Sequence, residues 1–215
     1  MQLTIREPGS AITHFIGCLM ALIAASPLLI KAHGNATYML AMTIFATSMV
    51  LLYAASTIYH SICHVSAKVL RNFQKLDHMM IFVLIAGSYT PVCMIILGGR
   101  IGYTLLALVW GIAVAGIIVK GLWITCPKWF SSVIYIAMGW ACVAVFGPLL
   151  QVLPTAAFLW LLAGGIIYTI GGVIYALKLP LFNEKHEFFG SHEIFHLFVM
   201  AGSFCHFIFM YCYVA

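Results

Sequence analysis

The stretch Ile101–Lys120, IGYTLLALVWGIAVAGIIVK, carries no charge before its last residue and shows no continuous polar face. About 20 mostly apolar residues are what a helix needs to cross the hydrocarbon core of a bilayer, where every backbone group must be satisfied within the helix. Six similar runs flank it. Ala11–Ile30, Tyr38–His60 and Leu76–Leu97 precede it; Phe130–Leu150, Ala156–Leu177 and His192–Tyr213 follow. Over the 215 residues, apolar types make up 64% and charged types 7%, with mean hydropathy +1.10. No water-soluble domain of this size could hold that balance without aggregating. The expected fold is therefore all-α: a polytopic membrane protein whose seven transmembrane helices form a bundle. Residues 1–215 are expected to make one domain, with no room for a soluble one.

Turn chemistry or charge punctuates the runs at Gly34-Asn35, Gly98-Gly99-Arg100, Cys126-Pro127-Lys128, Pro154-Thr155 and Lys178-Leu179-Pro180. The fifth run is expected to end or kink at Gly147-Pro148. One basic residue and one acid precede the first run, not a basic cluster, so it reads as a retained span and not as a signal peptide. The seven Cys have no CxxC pair and fall mostly inside apolar runs, which argues against a disulfide framework. The net charge of +5 comes from scattered Lys and Arg, so no nucleic-acid partner is expected. That charge reads as orientation. With the N-terminus in the cytoplasm, the inner segments hold Arg6, Lys68, Arg71, Lys75, Lys120, Lys128, Lys178 and Lys185, and the outer ones only Lys31 and Arg100. An odd number of spans then puts the C-terminus outside.

Ionisable groups in or at the ends of spans are costly, and function is sought there. The second run closes on Ser56-Thr57-Ile58-Tyr59-His60, the third opens at Leu76-Asp77-His78, and the seventh opens at His192-Glu193-Ile194-Phe195-His196. His192 and His196 share one helix face, as do Ser56 and His60. The charge-based orientation places His60, Asp77, His192 and His196 at one membrane depth. Three His with an open position form a catalytic zinc site, because neutral imidazoles leave the ion able to lower the pKa of a water toward about 7. Asp77 would orient that water or take its proton, and Ser56 would donate a hydrogen bond. The literal HExxH also fits a zincin-type helix with Glu193 as base, and His60 can supply the third ligand in either reading. The plain alternative is a set of polar residues that anchor helix ends at headgroup level. His64 and His78 are expected to hydrogen-bond beside the cluster, and Glu7 and His14 to cover its mouth. His206 lies ~15 Å further along its helix than His196 and is expected to bond a neighbouring helix.

Four segments together resemble the progestin and adipoQ receptor superfamily, and within it the bacterial hemolysin III branch: Glu7 to Thr13-His14, Ser56-xxx-His60 continuing to Asp77, Ile85-Ala86-Gly87-Ser88-Tyr89-Thr90-Pro91, and His192-xxx-His196. The resemblance covers nearly the whole chain. It implies a seven-helix bundle in the bacterial plasma membrane, with zinc held by His60, His192 and His196 and Asp77 beside the water that the metal activates. One departure is Ser10, where the family's first motif usually carries Asn, so that residue's tie on the first helix does not carry over by residue type.

Three functions follow as expectations: a zinc-dependent hydrolase of lipid amide or ester bonds, with membrane lipids as partners; a sensor of membrane lipid state whose zinc is structural; and a pore-forming cytolysin. A pore needs polar linings along several helices, which the runs around Met42, Val109, Ala141 and Leu161 lack. The seventh run contains no Lys for a retinal Schiff base, and the inside N-terminus is opposite to that of a G-protein-coupled receptor.

Overall fold

A computed structural model describes residues 5–177 and 189–215. The Lys178-Leu179-Pro180 turn and Lys185 lie outside the described residues. Among the described residues there are helices and no strands. Seven helices among the described residues are long and apolar enough to cross a membrane: Pro8–Ala32, Ala36–Ser61, Ala67–Leu97, Gly99–Leu122, Lys128–Val152, Thr155–Leu177 and Ser191–Val214. We label them α1 (Pro8–Ala32), α2 (Ala36–Ser61), α3 (Ala67–Pro91), α4 (Gly99–Leu122), α5 (Lys128–Gly139), α6 (Phe146–Val152), α7 (Thr155–Leu177) and α8 (Ser191–Phe209), with α5 and α6 forming one span.

Local signals account for the ends. Asn35 caps α2 by accepting from the backbone N–H of Thr37 and Tyr38. Ser66 caps α3 through Val69 N–H, so the helix starts well before the expected Leu76. The basic segment with Lys68, Arg71 and Lys75 reads as a loop by hydropathy, yet these are good helix formers and simply carry α3 past the apolar run. At its other end α3 passes through Pro91 into a π-helical turn at Val92–Leu97, because proline has no N–H to give to the carbonyl one turn back. The expected break in the fifth span exists but lies earlier than Gly147-Pro148. A 3₁₀ segment, Trp140–Val145, separates α5 from α6. Pro148 disturbs the turn that precedes it, since both its missing hydrogen bond and its ring clash fall on the carbonyl of residue i−4, Ala144.

Packing is of two kinds. Ala41, Met42, Phe45, Phe82, Ala86 and Val109 are buried between α2, α3 and α4, while large apolar residues such as Ile23 and Leu122 face outward as lipid-directed surface. Small residues let helices approach where lipid offers no hydrophobic drive. A Cβ on Gly87 of α3 would lie 2.3 Å from Ser48 Oγ of α2, and one on Gly164 of α7 2.3 Å from the His206 ring of α8. Against Gly164, His206 turns Nε2 to the Leu161 carbonyl at 3.4 Å, the bond to a neighbouring helix expected of it.

Candidate metal centre

The end of α2 and the first turns of α8 bring His60, His192 and His196 together, with one ligand atom from each within 4.8 Å of the others. His60 is fully buried and His196 nearly so. The two are aimed by groups on the N-terminal segment and α1. His60 Nδ1 is hydrogen-bonded to the Glu7 carboxylate, which leaves its buried Nε2 without a partner. Glu7 is itself held by a backbone bond to the His60 carbonyl at 3.0 Å and by an ion pair with Arg6 at 3.2 Å. On the other side, Thr13 Oγ1 has its one proton shared between the carbonyls of Gly9 and Ser10, both at 3.0 Å, so a lone pair faces His196 Nδ1 at 3.2 Å. A hydroxyl that spends its proton on a carbonyl can only accept from the ring, which places the proton on Nδ1 and frees Nε2. A partnerless buried imidazole nitrogen and three neutral nitrogen donors fit a first-row divalent cation.

Asp77 lies within α3, not at its start, because the helix begins at Ala67. It is 9% exposed and shares the wall of a cavity of about 460 Å³ with Ser56, His14, His192 and His196. Ser56 Oγ is buried beside the Asp77 carboxylate. His78 donates Nδ1–H to the Gln74 carbonyl at 2.8 Å, leaving Asp77 3.6 Å away. The fold thus assembles all five expected residues: His60, His192 and His196 as one cluster, Asp77 and Ser56 on the adjoining cavity wall.

Three placements differ from expectation or add to it. His14 does not cover the mouth; it is buried two turns into α1, stacked on His196 with ring centroids 3.5 Å apart and edge-on to Tyr53. Glu193, the HExxH glutamate, is held away from the cavity wall: one oxygen accepts from the Gly190 N–H at 2.8 Å and the other from Ser10 Oγ at 2.5 Å. Ser10, although not Asn, therefore does tie α1 down. Glu7 and Thr13 as supports of the ligand rings were not legible from spacing. Their signal was the segment Glu7 to His14, whose direction of contact needed α1 set beside α2 and α8.

The same assembly has sequence relatives. Residues 3–207 match the family model described as Haemolysin-III related. Hemolysin-3 of Bacillus cereus is 41% identical over 204 residues, covering 94% of this chain and 89% of that protein. The Hemolysin-3 homolog of Bacillus subtilis (strain 168) is 39% identical over 216 residues, covering 97% and 96%. More distantly, progestin and adipoQ receptor-like protein 1 of Caenorhabditis elegans is 29% identical over 228 residues, which span 94% of this chain and 50% of that one. With a match running from the N-terminal segment through the histidines of α8, this multi-pass membrane protein belongs to the Haemolysin-III related family.

Proposed function

We propose that the protein is a zinc-dependent hydrolase that cleaves amide or ester bonds of membrane lipids from within the bacterial plasma membrane, with its site near the cytoplasmic face. The observation that carries the reading is the convergence of three histidines, two of which, His192 and His196, stand on the wall of a cavity that Asp77 and Ser56 also line. When bound, zinc supplies Lewis acidity for a carbonyl oxygen and makes water a nucleophile at neutral pH. His60, His192 and His196 hold the ion, with Glu7 and Thr13 fixing two of the rings. The Asp77 carboxylate accepts the proton of the attacking water and returns it to the leaving amine or alkoxide. Ser56 donates a hydrogen bond to the substrate carbonyl oxygen, where negative charge develops. The apolar cavity wall at Leu84, Ile136, Phe195 and Val199 receives the acyl chain and keeps bulk water out.

Elemental mass spectrometry on detergent-purified protein tests the site: about one zinc per chain is expected, lost when His192 and His196 are both changed to Ala. Hydrolysis of fluorescent lipid amides and esters tests the chemistry. Asp77→Ala should keep its zinc and lose roughly 10²–10⁴-fold in rate. A second reading draws on the complete burial of His60, which suits a structural zinc stapling α2 to α8 in a non-enzymatic sensor of lipid state; wild-type protein that holds zinc and turns over no lipid would favour it. The pore reading has only the names of the Bacillus relatives behind it, and the bundle interior at Met42, Phe45, Phe82 and Val109 is apolar and filled.

A further inference from the structure

Lys120 is a buried charge to which hydrolysis assigns no task. It is 3% exposed, and its Nζ donates to Ser131 Oγ at 2.5 Å and to Cys126 Sγ at 3.2 Å. Among the described residues no carboxylate lies within ion-pair distance of it. A hydroxyl and a thiol carry no formal countercharge, and an ammonium buried without one is strongly unfavourable. The side chain also lines the cavity that holds Asp77, His192 and His196.

The depth of Lys120 follows from its neighbours. Lys75 of α3 donates to the Gly121 carbonyl at 2.5 Å, and a Cβ on Gly121 would lie 3.1 Å from Met79 Cε. Residue 120 therefore sits level with the turn of α3 that contains Asp77. Further along α3, and on α5 and α8 across the cavity, the wall turns apolar at Leu84, Ile85, Ile136 and Val199, and a second space of about 50 Å³ shares Ser88, Tyr89, Trp140 and His206 with the first. The cavity thus has a buried cation at one end and apolar walls at the other, with His192, His196 and Asp77 between.

We infer that the cavity takes an anionic lipid whose oxyanion, a phosphate ester or a carboxylate, sits on Lys120, with its chain along the apolar walls. The Ser131 hydroxyl accepts from Lys120 and pairs with Cys126 Sγ at 3.2 Å; with the thiol as donor in that pair, its own proton turns to the same oxyanion. That such a lipid is cleaved rests on the hydrolase reading; that it binds does not.

The test uses the whole protein in neutral detergent, with binding of oleate, 1-oleoyl lysophosphatidic acid and monoolein measured by displacement of a fluorescent fatty-acid probe. At least one of the two anionic lipids should bind about tenfold tighter than monoolein, the scale of one charge-assisted hydrogen bond. Which one does so distinguishes carboxylate from phosphate, and inorganic phosphate alone shows whether the chain is required. Lys120→Gln should abolish the preference and Lys120→Arg should keep it. Equal binding of all three lipids by the wild type, or an unchanged preference in K120Q, overturns the inference. Should K120Q fail to fold, amine acylation of wild-type protein read by mass spectrometry decides: the preferred anionic lipid must protect Lys120 where monoolein does not, and equal labelling refutes the site. Zinc content is measured on the same samples. Absent zinc with the preference intact removes the hydrolase reading alone; zinc present with no preference removes this inference alone.

Discussion

His60 owes its orientation to Glu7, a residue 53 positions away in sequence. The carboxylate holds Nδ1, raises the basicity of the ring and fixes the tautomer that exposes Nε2. Replacing Glu7 by Gln should therefore lower divalent-metal affinity by about 10–100-fold, measured by competition with a chromophoric chelator, while the bundle stays folded. Thr13→Val should act in the same direction through His196, because its methyl group cannot accept the Nδ1 proton. Spacing alone identified His192 and His196 as a pair on one helix face and His60 as a separate candidate. Sequence periodicity has no means of showing that an acid in the N-terminal segment would be the group behind His60, since that contact crosses from one element to another.

Between elements, close approach and polar ties do the joining. The site draws on α2 for His60 and Ser56, α3 for Asp77 and α8 for the other two histidines, so errors in helix register are transmitted to it directly. Gly87 sets the register of α3 on α2: a Cβ there would meet Ser48 Oγ at 2.3 Å and Ser48 Cβ at 2.6 Å. Gly87→Val should destabilise the protein by about 1–3 kcal/mol through overpacking, seen as a lower midpoint of thermal unfolding in detergent. The α1–α8 tie is polar. Ser10→Ala would leave a Glu193 oxygen without its hydroxyl donor and should cost about 1–3 kcal/mol on the same measurement. Hydropathy located the spans themselves, but not the early start of α3 nor the 3₁₀ interruption ahead of Pro148. Helices running past their apolar stretch, and breaks displaced toward the preceding turn, are set by capping and backbone hydrogen bonding rather than by hydrophobicity.

For the whole molecule, the charge distribution predicts that the ends of α2 and α4 and the starts of α3 and α5 face the cytoplasm, with Lys31 and Arg100 outside. In an otherwise cysteine-free chain, Asn35→Cys should be modified on intact cells by a membrane-impermeant maleimide and Ala67→Cys only after permeabilisation; the reverse pattern would invert the orientation and put the site on the outer face. The sequence by itself determined that lipid is the solvent and that seven helices are long and apolar enough to span it, and it singled out His60, His192, His196, Asp77 and Ser56 as candidates for chemistry. These follow from one-dimensional quantities: run length, loop charge and spacing along a single helix. Only the tertiary structure decided that Glu7 and Thr13 back the ligand rings, that His14 stacks inside on His196, that Glu193 is turned to α1, and that Lys120 shares a cavity with Asp77. Each of these depends on how helices distant in sequence are rotated and staggered against one another, and packing sets that rotation only when the whole bundle closes.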